Sequence, residues 1–247
     1  MSADNTRLRG SQRAIHEAWP LGRFPRDVII GIGKQLVHRL AIGLSDITGD
    51  DFGTIFAEAV GGMHRQSPLG IADVVRNGNA WSVKTVKAGD PFKQTSIRLI
   101  SGRNSPDYSL GIENPHKDIP ATGRAILAVW NKRVNQSLGE HDDLRIAIFI
   151  RNLQTKEFVI FEETASLFAG DDYVWTKNRR GNLEGCDKAT GEHRFTWQPH
   201  GSQFTIIRHV AGSAVRFRIN HTPPLIEASH VLRLAKYSDD WIEVVNG

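Results

Sequence analysis

Apolar and polar positions along this chain follow two periods, one near 3.6 residues and one of two. Val28, Ile29, Ile32, Leu36, Val37 and Leu40 recur at helical spacing behind Pro25, which suits a first helical turn, and predict a helix to about Gly43. Phe52, Ile55, Phe56, Ala59 and Val60 make one apolar face. With Asp50 and Asp51 favouring an N-terminal turn and Gly61-Gly62 closing it, they predict a helix over Thr48–Gly61. A short helix is expected from about Pro91 to Ile100, followed by an irregular stretch to Asp118. Pro120 opens another helix, to about Leu138, with Ile126, Leu127, Trp130 and Val134 as its core face. The apolar run from Leu144 to Arg151 reads as a buried strand, and Phe158–Glu162 as the next one.

The period-two signal is clearest around Asn77-Gly78. Both residues tolerate positive φ, and apolar, β-branched runs flank them, so Ile71–Arg76 and Ala80–Lys87 are predicted to form an antiparallel hairpin. A two-residue turn sets Asp73 opposite Ser82. Because side chains alternate faces, Ser82 and Lys84 then share one surface with Asp73. Beyond Ala165 the texture changes to short strands and turns, with strands expected at Asp172–Thr176, His193–Gln198, Phe204–His209 and Val215–Ile219, and a helix over Pro223–Tyr237. At the other end, residues 1–24 are polar and carry Arg7, Arg9, Arg13 and Arg23, with a short helix expected near Ser11–Ala18.

Composition narrows the picture modestly. The 247 residues, 40% hydrophobic, suffice for one large core. There is no apolar run long enough to span a bilayer, and no apolar signal core near the N-terminus, which points to a cytoplasmic protein. A single cysteine, Cys186, excludes an internal disulfide framework and cysteine-rich zinc sites. The ten histidines are scattered without the paired spacing of metal ligands, and no Gly-x-Ser-x-Gly elbow is present. Gly31-Ile-Gly33-Lys34 lacks both the full phosphate-loop fingerprint and a preceding strand. The net charge of +4 permits a nucleic-acid partner without requiring one.

A carboxylate and an ammonium fixed on neighbouring strands can do chemistry. The carboxylate can hold a hard divalent cation, and the ammonium can orient water or offset charge on a phosphate. The same pair can also be an ordinary cross-strand salt bridge. Ala72-Asp73 followed by Ser82-Val83-Lys84, set between helices and strands in this order, resembles the PD-(D/E)XK nucleases, and among them the type II restriction endonucleases. The resemblance covers about Asp50 to Glu163. Ala72 stands where that family has proline, and Ser82 where it has the second acid.

The resemblance implies an α+β fold: a restriction-endonuclease-like mixed central β-sheet flanked by helices. It implies an N-terminal helical arm (1–45), a catalytic core (46–165) and a β-rich C-terminal lobe (166–247), packed as one unit. It further implies a Mg2+ ion held by Asp73, the Val83 carbonyl and Glu58, with Asp90 as the other substitute for the missing acid. Lys84 would position the attacking water and Ser82 would hold a water by its hydroxyl. The partners implied are double-stranded DNA and a second copy of the chain, in a homodimer. A lobe carrying Lys177, Asn178, Arg179, Arg180, Gln198, His200 and Gln203, with Arg98, Arg103 and Asn104 nearby, is expected to contact DNA, since arginine and amide side chains read base edges. The competing readings are a structure-directed repair nuclease of the same fold and a non-enzymatic DNA-binding protein.

Overall fold

The structure, a computed structural model, describes residues 18–66 and 70–245. The helix expected near Ser11–Ala18 falls almost wholly outside them, as do Arg7, Arg9 and Arg13. In chain order the elements are α1 (Arg26–Ala41), α2 (Gly49–Val60), β1 (Met63–His64), β2 (Val74–Arg76), β3 (Asn79–Lys87), β4 (Ser96–Arg103), α3 (Pro106–Leu110), α4 (Ile119–Leu138), β5 (Asp143–Asn152), β6 (Glu157–Thr164), β7 (Tyr173–Lys177), β8 (Leu183–Asp187), β9 (His193–Gln198), β10 (Gln203–His209), β11 (Val215–Arg218) and α5 (Ala228–Leu234). The fold is mixed α+β. A six-stranded sheet runs in the order β1-β2-β3-β5-β6-β11, and an antiparallel five-stranded sheet in the order β4-β10-β9-β8-β7. In the first sheet β3 and β5 are parallel and the remaining neighbours antiparallel.

Local chemistry sets these elements. The Thr48 hydroxyl accepts from the Asp51 N–H at 3.1 Å while Asp51 accepts from the Thr48 N–H at 2.9 Å, a reciprocal cap that starts α2. Gly61, at φ +65°, ends it in the left-handed conformation. Gly31 brings α1 within 3.3 Å of Ala59, measured from where its Cβ would be, so a side chain there would force a small shift between the two helices. Between β2 and β3, Asn77 (φ 46°) and Gly78 (φ 83°) both take positive φ, as a two-residue hairpin turn requires.

The six-stranded sheet is covered on both faces. Trp81, Val83, Ala147, Phe149, Phe158 and Ile160 pack under α1 and α2, where Phe52 stacks on Phe149 with centroids 4.5 Å apart. On the other face Ala80, Ile146, Ile148, Ile150, Val159 and Phe161 meet α4 and the inner face of the five-stranded sheet. No helix among the described residues is long and apolar enough to cross a membrane.

Several expectations need correction. Residues 96–103 form β4, not the end of a helix, because Ile97, Leu99 and Ser101 are buried while Ser96, Arg98 and Ile100 are exposed, a period of two. Only Pro91–Lys93 make a single 3-10 turn, with the Asp90 carboxylate accepting from the Lys93 N–H. The stretch before Asp118 contains the short helix α3, capped by Ser105. The strand β8 was not expected; its residues are mostly polar or small. The helix over Pro223–Tyr237 shrinks to Ala228–Leu234 and buries no side chain. Strand pairing also crosses the 165/166 boundary twice. β4 joins β10 in the second sheet, and β11 returns to pair with β6 in the first.

Two acidic residues of β6 tie the molecule together. Glu162 is buried at 3% exposure and accepts from Arg145 (2.8 Å), the Trp19 indole (2.7 Å), the Trp81 indole (3.3 Å) and the Gly22 N–H (3.0 Å). Arg145 also donates to Asp143 and to the Trp19 carbonyl, so the charge is fully matched and pins residues 19–22 to the sheet. Glu163 faces the other way and bridges the sheets, its carboxylate 2.7 Å from the Arg208 guanidinium of β10, a close ion pair rather than an aligned hydrogen bond. Burial pushes the Glu163 carboxyl above its usual range, and Arg208 and Arg194 only partly offset this.

Glu162→Ala should destabilise the fold by about 3–5 kcal/mol, because it leaves the Arg145 charge buried without its partner; urea unfolding measures this. Glu163 binds its proton more tightly folded than unfolded. Its contribution to stability is therefore full below the ordinary glutamate range and is lost as pH rises through the raised value. The unfolding free energy of the natural protein minus that of Glu163→Gln should fall with rising pH across this range, as chemical unfolding of both at a series of pH values measures.

Candidate functional site

The site forms where β2 and β3 part. Their ladder pairs Arg76 with Asn79, Val75 with Ala80 and Val74 with Trp81, then stops. Just before Val74 the chain bends away, with the Asp73 N–H donating to the Ile71 carbonyl at 3.1 Å. Backbone groups alternate sides along a strand, so the N–H and C=O of Val83, two residues past Trp81, face the side that β2 has left. The Asp73 side chain fills the gap. Its Oδ2 accepts from the Val83 N–H at 2.9 Å and from the Ser82 hydroxyl at 3.1 Å. The Val83 carbonyl is left for a donor or a cation.

In this structure that position is taken by the Lys84 ammonium. Its Nζ lies 3.1 Å from Asp73 Oδ2, 2.8 Å from Ser82 Oγ and 3.0 Å from the Val83 carbonyl oxygen, which uses all three of its donors. Three hard oxygens thus converge on one positive charge. Asp73 Oδ1 has no hydrogen-bond partner among the described residues. Both the Asp73 and Lys84 side chains are 22% exposed, so the group opens to solvent rather than being sealed. Ser82 and Lys84 share a face with Ala80 and Val86, the face turned towards α4 and the second sheet.

Arg133 of α4 completes the surroundings. It donates to the Ser101 carbonyl (2.9 Å) and to the Gly70 carbonyl (3.3 Å), joining β4 to the segment that leads into Asp73. Burial lowers its pKa, and the nearby Asp73 charge opposes that shift. No sequence signal marks this role, because both contacts run to backbone carbonyls of segments distant in the chain.

The donor set suits a hard cation such as Mg2+, which takes one or two carboxylates and completes its shell with water. Asp73, the Val83 carbonyl and the Ser82 hydroxyl would supply the protein oxygens. A second acid is not brought to them. Glu58 stands exposed on α2, which packs on the opposite face of the sheet, and its side chain has no partner among the described residues. Asp90 caps the 3-10 turn and pairs with Lys93 at 2.7 Å, and the Lys93 ammonium holds its carboxyl below the usual range. Among the described residues no three of His, Cys, Asp and Glu are grouped closely enough to share a metal ion.

Most of the residues expected to contact DNA gather at one end of the five-stranded sheet. Register places Arg103 beside Gln203 and Gln203 beside Gln198, with His200 in the connecting turn. Lys177 ends β7 at the same edge, and Asn178, Arg179 and Arg180 follow it. Arg98, Asn178, Arg179, Arg180 and Gln198 line a groove of about 420 Å3 on the sheet's outer side. Asn178 is partly committed to the fold, since its amide donates to Glu184 and its carbonyl accepts from the N–H groups of Arg180 and Asn182. Asn104 does not belong to this surface. It is 0% exposed, its amide donates to the Ile126 carbonyl, and its own carbonyl accepts from the Trp197 indole.

Asp73→Ala would remove the acceptor for three donors and leave the buried Val83 N–H unpaired. It should cost about 1–3 kcal/mol in urea unfolding, and Asp73→Asn, which keeps an acceptor, should cost less. Comparison with protein-family models, with curated proteins and with solved structures gave no match to this chain.

Proposed function

We propose that this chain is a Mg2+-dependent endonuclease of the PD-(D/E)XK kind that cuts double-stranded DNA at a specific sequence, acting as a cytoplasmic homodimer in the manner of type II restriction enzymes. The observation that carries this reading is the convergence of the Asp73 carboxylate, the Val83 carbonyl, the Ser82 hydroxyl and the Lys84 ammonium within 3.1 Å, in a position open to solvent. The flanking helices α2 and α4 and the parallel pairing of β5 with β3 support the same reading, although β4 intervenes between the hairpin and α4 and joins the second sheet.

A divalent cation bound by Asp73 and the Val83 carbonyl would supply Lewis-acid neutralisation of charge on the scissile phosphate. Lys84 would orient the attacking water and offset the charge that develops on phosphorus. Ser82, already in contact with both charged groups, would fix a water through its hydroxyl. The water oxygen would bond to phosphorus, giving up a proton to bulk water, as the bond to the 3′ oxygen breaks and that oxygen takes a proton from solvent, leaving a 5′-phosphate and a 3′-hydroxyl. Arg133 and Arg103 continue the positive charge from this position to the row of Gln203, Gln198 and Lys177–Arg180, where a phosphate backbone would lie.

The single carboxylate favours one other reading. An Asp73–Lys84 pair with every ammonium donor used is also what a purely structural salt bridge looks like, and the chain would then bind DNA without cutting it. Incubation with assorted plasmids, with Mg2+ or with a chelator, separates these. Discrete Mg2+-dependent fragments are expected. Asp73→Asn and Lys84→Ala should each reduce cleavage by more than about a hundredfold while DNA binding is retained. Cleavage confined to junctions or mismatches would indicate a repair nuclease, metal-independent binding without cleavage would indicate the structural reading, and full cleavage by Lys84→Ala would contradict the proposal.

A further inference from the structure

The C-terminal arm beyond Pro224 is left uncovered by the rest of the molecule. Its helix α5 has seven residues, no buried side chain and no side-chain cap. Isolated helices shorter than about 12–15 residues are marginal in water, so α5 has too little of its own to hold it. The arm touches the body at its root, where the Ile226 N–H donates to the Ala41 carbonyl at 2.8 Å. Farther out, Trp241, Ile242, Val244 and Val245 are exposed, Val245 at 81%. Asp239, Asp240 and Glu243 are interleaved with them, so the distal arm is both apolar and acidic.

An apolar surface carrying the opposite charge lies between α1 and β11. A groove of about 570 Å3 there has Ile29, Ile30, Val37, Phe217 and Ile219 on its walls. Lys34 and Arg218 stand on its rim. Lys34 has no side-chain partner among the described residues, while Arg218 pairs with Glu157 at 3.2 Å. Val37 fits the helical spacing of α1 but points outward with Ile30, away from the core residues Val28, Ile32 and Leu36.

We infer that the acidic, apolar arm of one copy docks in the basic-rimmed α1–β11 groove of a second copy, reciprocally, and so forms a two-fold homodimer. A symmetric dimer uses each patch twice, so one arm and one groove per chain complete the interface. Arm residues 225–245 together with the groove residues of the same chain make up the roughly 20–30 residues a side that a stable interface uses, about 800 Å2 per partner. This surface stands whether or not the chain cuts DNA.

Sedimentation equilibrium on the full chain tests it. The expected mass is twice 27.5 kDa. Trp241→Asp and Ile30→Asp change exposed residues on the two sides of the contact. Each should raise the dissociation constant by more than about a hundredfold with an unchanged circular dichroism spectrum, because each places an unpaired charge in the interface. Lys34→Glu should weaken the dimer by about two- to fivefold, and adding Asp240→Lys should restore it. A monomer at about 100 µM would overturn the inference. So would a dimer indifferent to both aspartate substitutions, or one weakened by Trp241→Asp and not by Ile30→Asp.

Discussion

The site depends on where one hairpin stops pairing. Had β2 continued past Val74, its backbone would have satisfied the N–H and C=O of Val83, and no carbonyl would remain to receive a cation. Because the chain turns at Ile71–Asp73 instead, a side-chain carboxylate replaces a backbone acceptor, and the neighbouring carbonyl is left facing an ammonium. A short ladder interruption is thus converted into a charged, partly open pocket. The alternation of faces along β3 does the rest, sending Ser82 and Lys84 to the Asp73 side and Trp81 and Val83 into the core under α2.

The scaffold holds this geometry from three directions. Glu162 and Arg145 lock the N-terminal segment onto the sheet, Glu163 and Arg208 span the two sheets, and Arg133 links β4 to the segment entering Asp73. The Glu162 charge is answered by Arg145 and three further donors, whereas the Glu163–Arg208 pair is close but only partly compensated. Through the Ser101 carbonyl Arg133 also ties the Asp73 region to β4, whose last residue Arg103 stands in register with Gln203 and, through it, Gln198.

Much of this was legible in the sequence because it follows from local rules. The Asn77-Gly78 turn, the capped α2 and the apolar run of β5 each carry their signal within a few residues, and the turn alone fixes the parity that unites Asp73, Ser82 and Lys84. What failed depended on distant partners. Residues 96–103 alternate like a strand, yet only pairing with β10 makes that visible. Asn104 reads as a polar surface residue until α4 and Trp197 close over it. Glu58 shares the site's neighbourhood in sequence, but its helix packs on the other face of the sheet.

The most direct test of the account is where a divalent cation sits. Crystals soaked in Mn2+ and measured at its absorption edge should give an anomalous peak within about 2.0–2.6 Å of the Asp73 carboxylate and the Val83 carbonyl oxygen, the range of hard-cation coordination. Lys84 Nζ should then have moved off both oxygens. An undisturbed Lys84–Asp73 contact, with no peak at these atoms at saturating Mn2+, would contradict it.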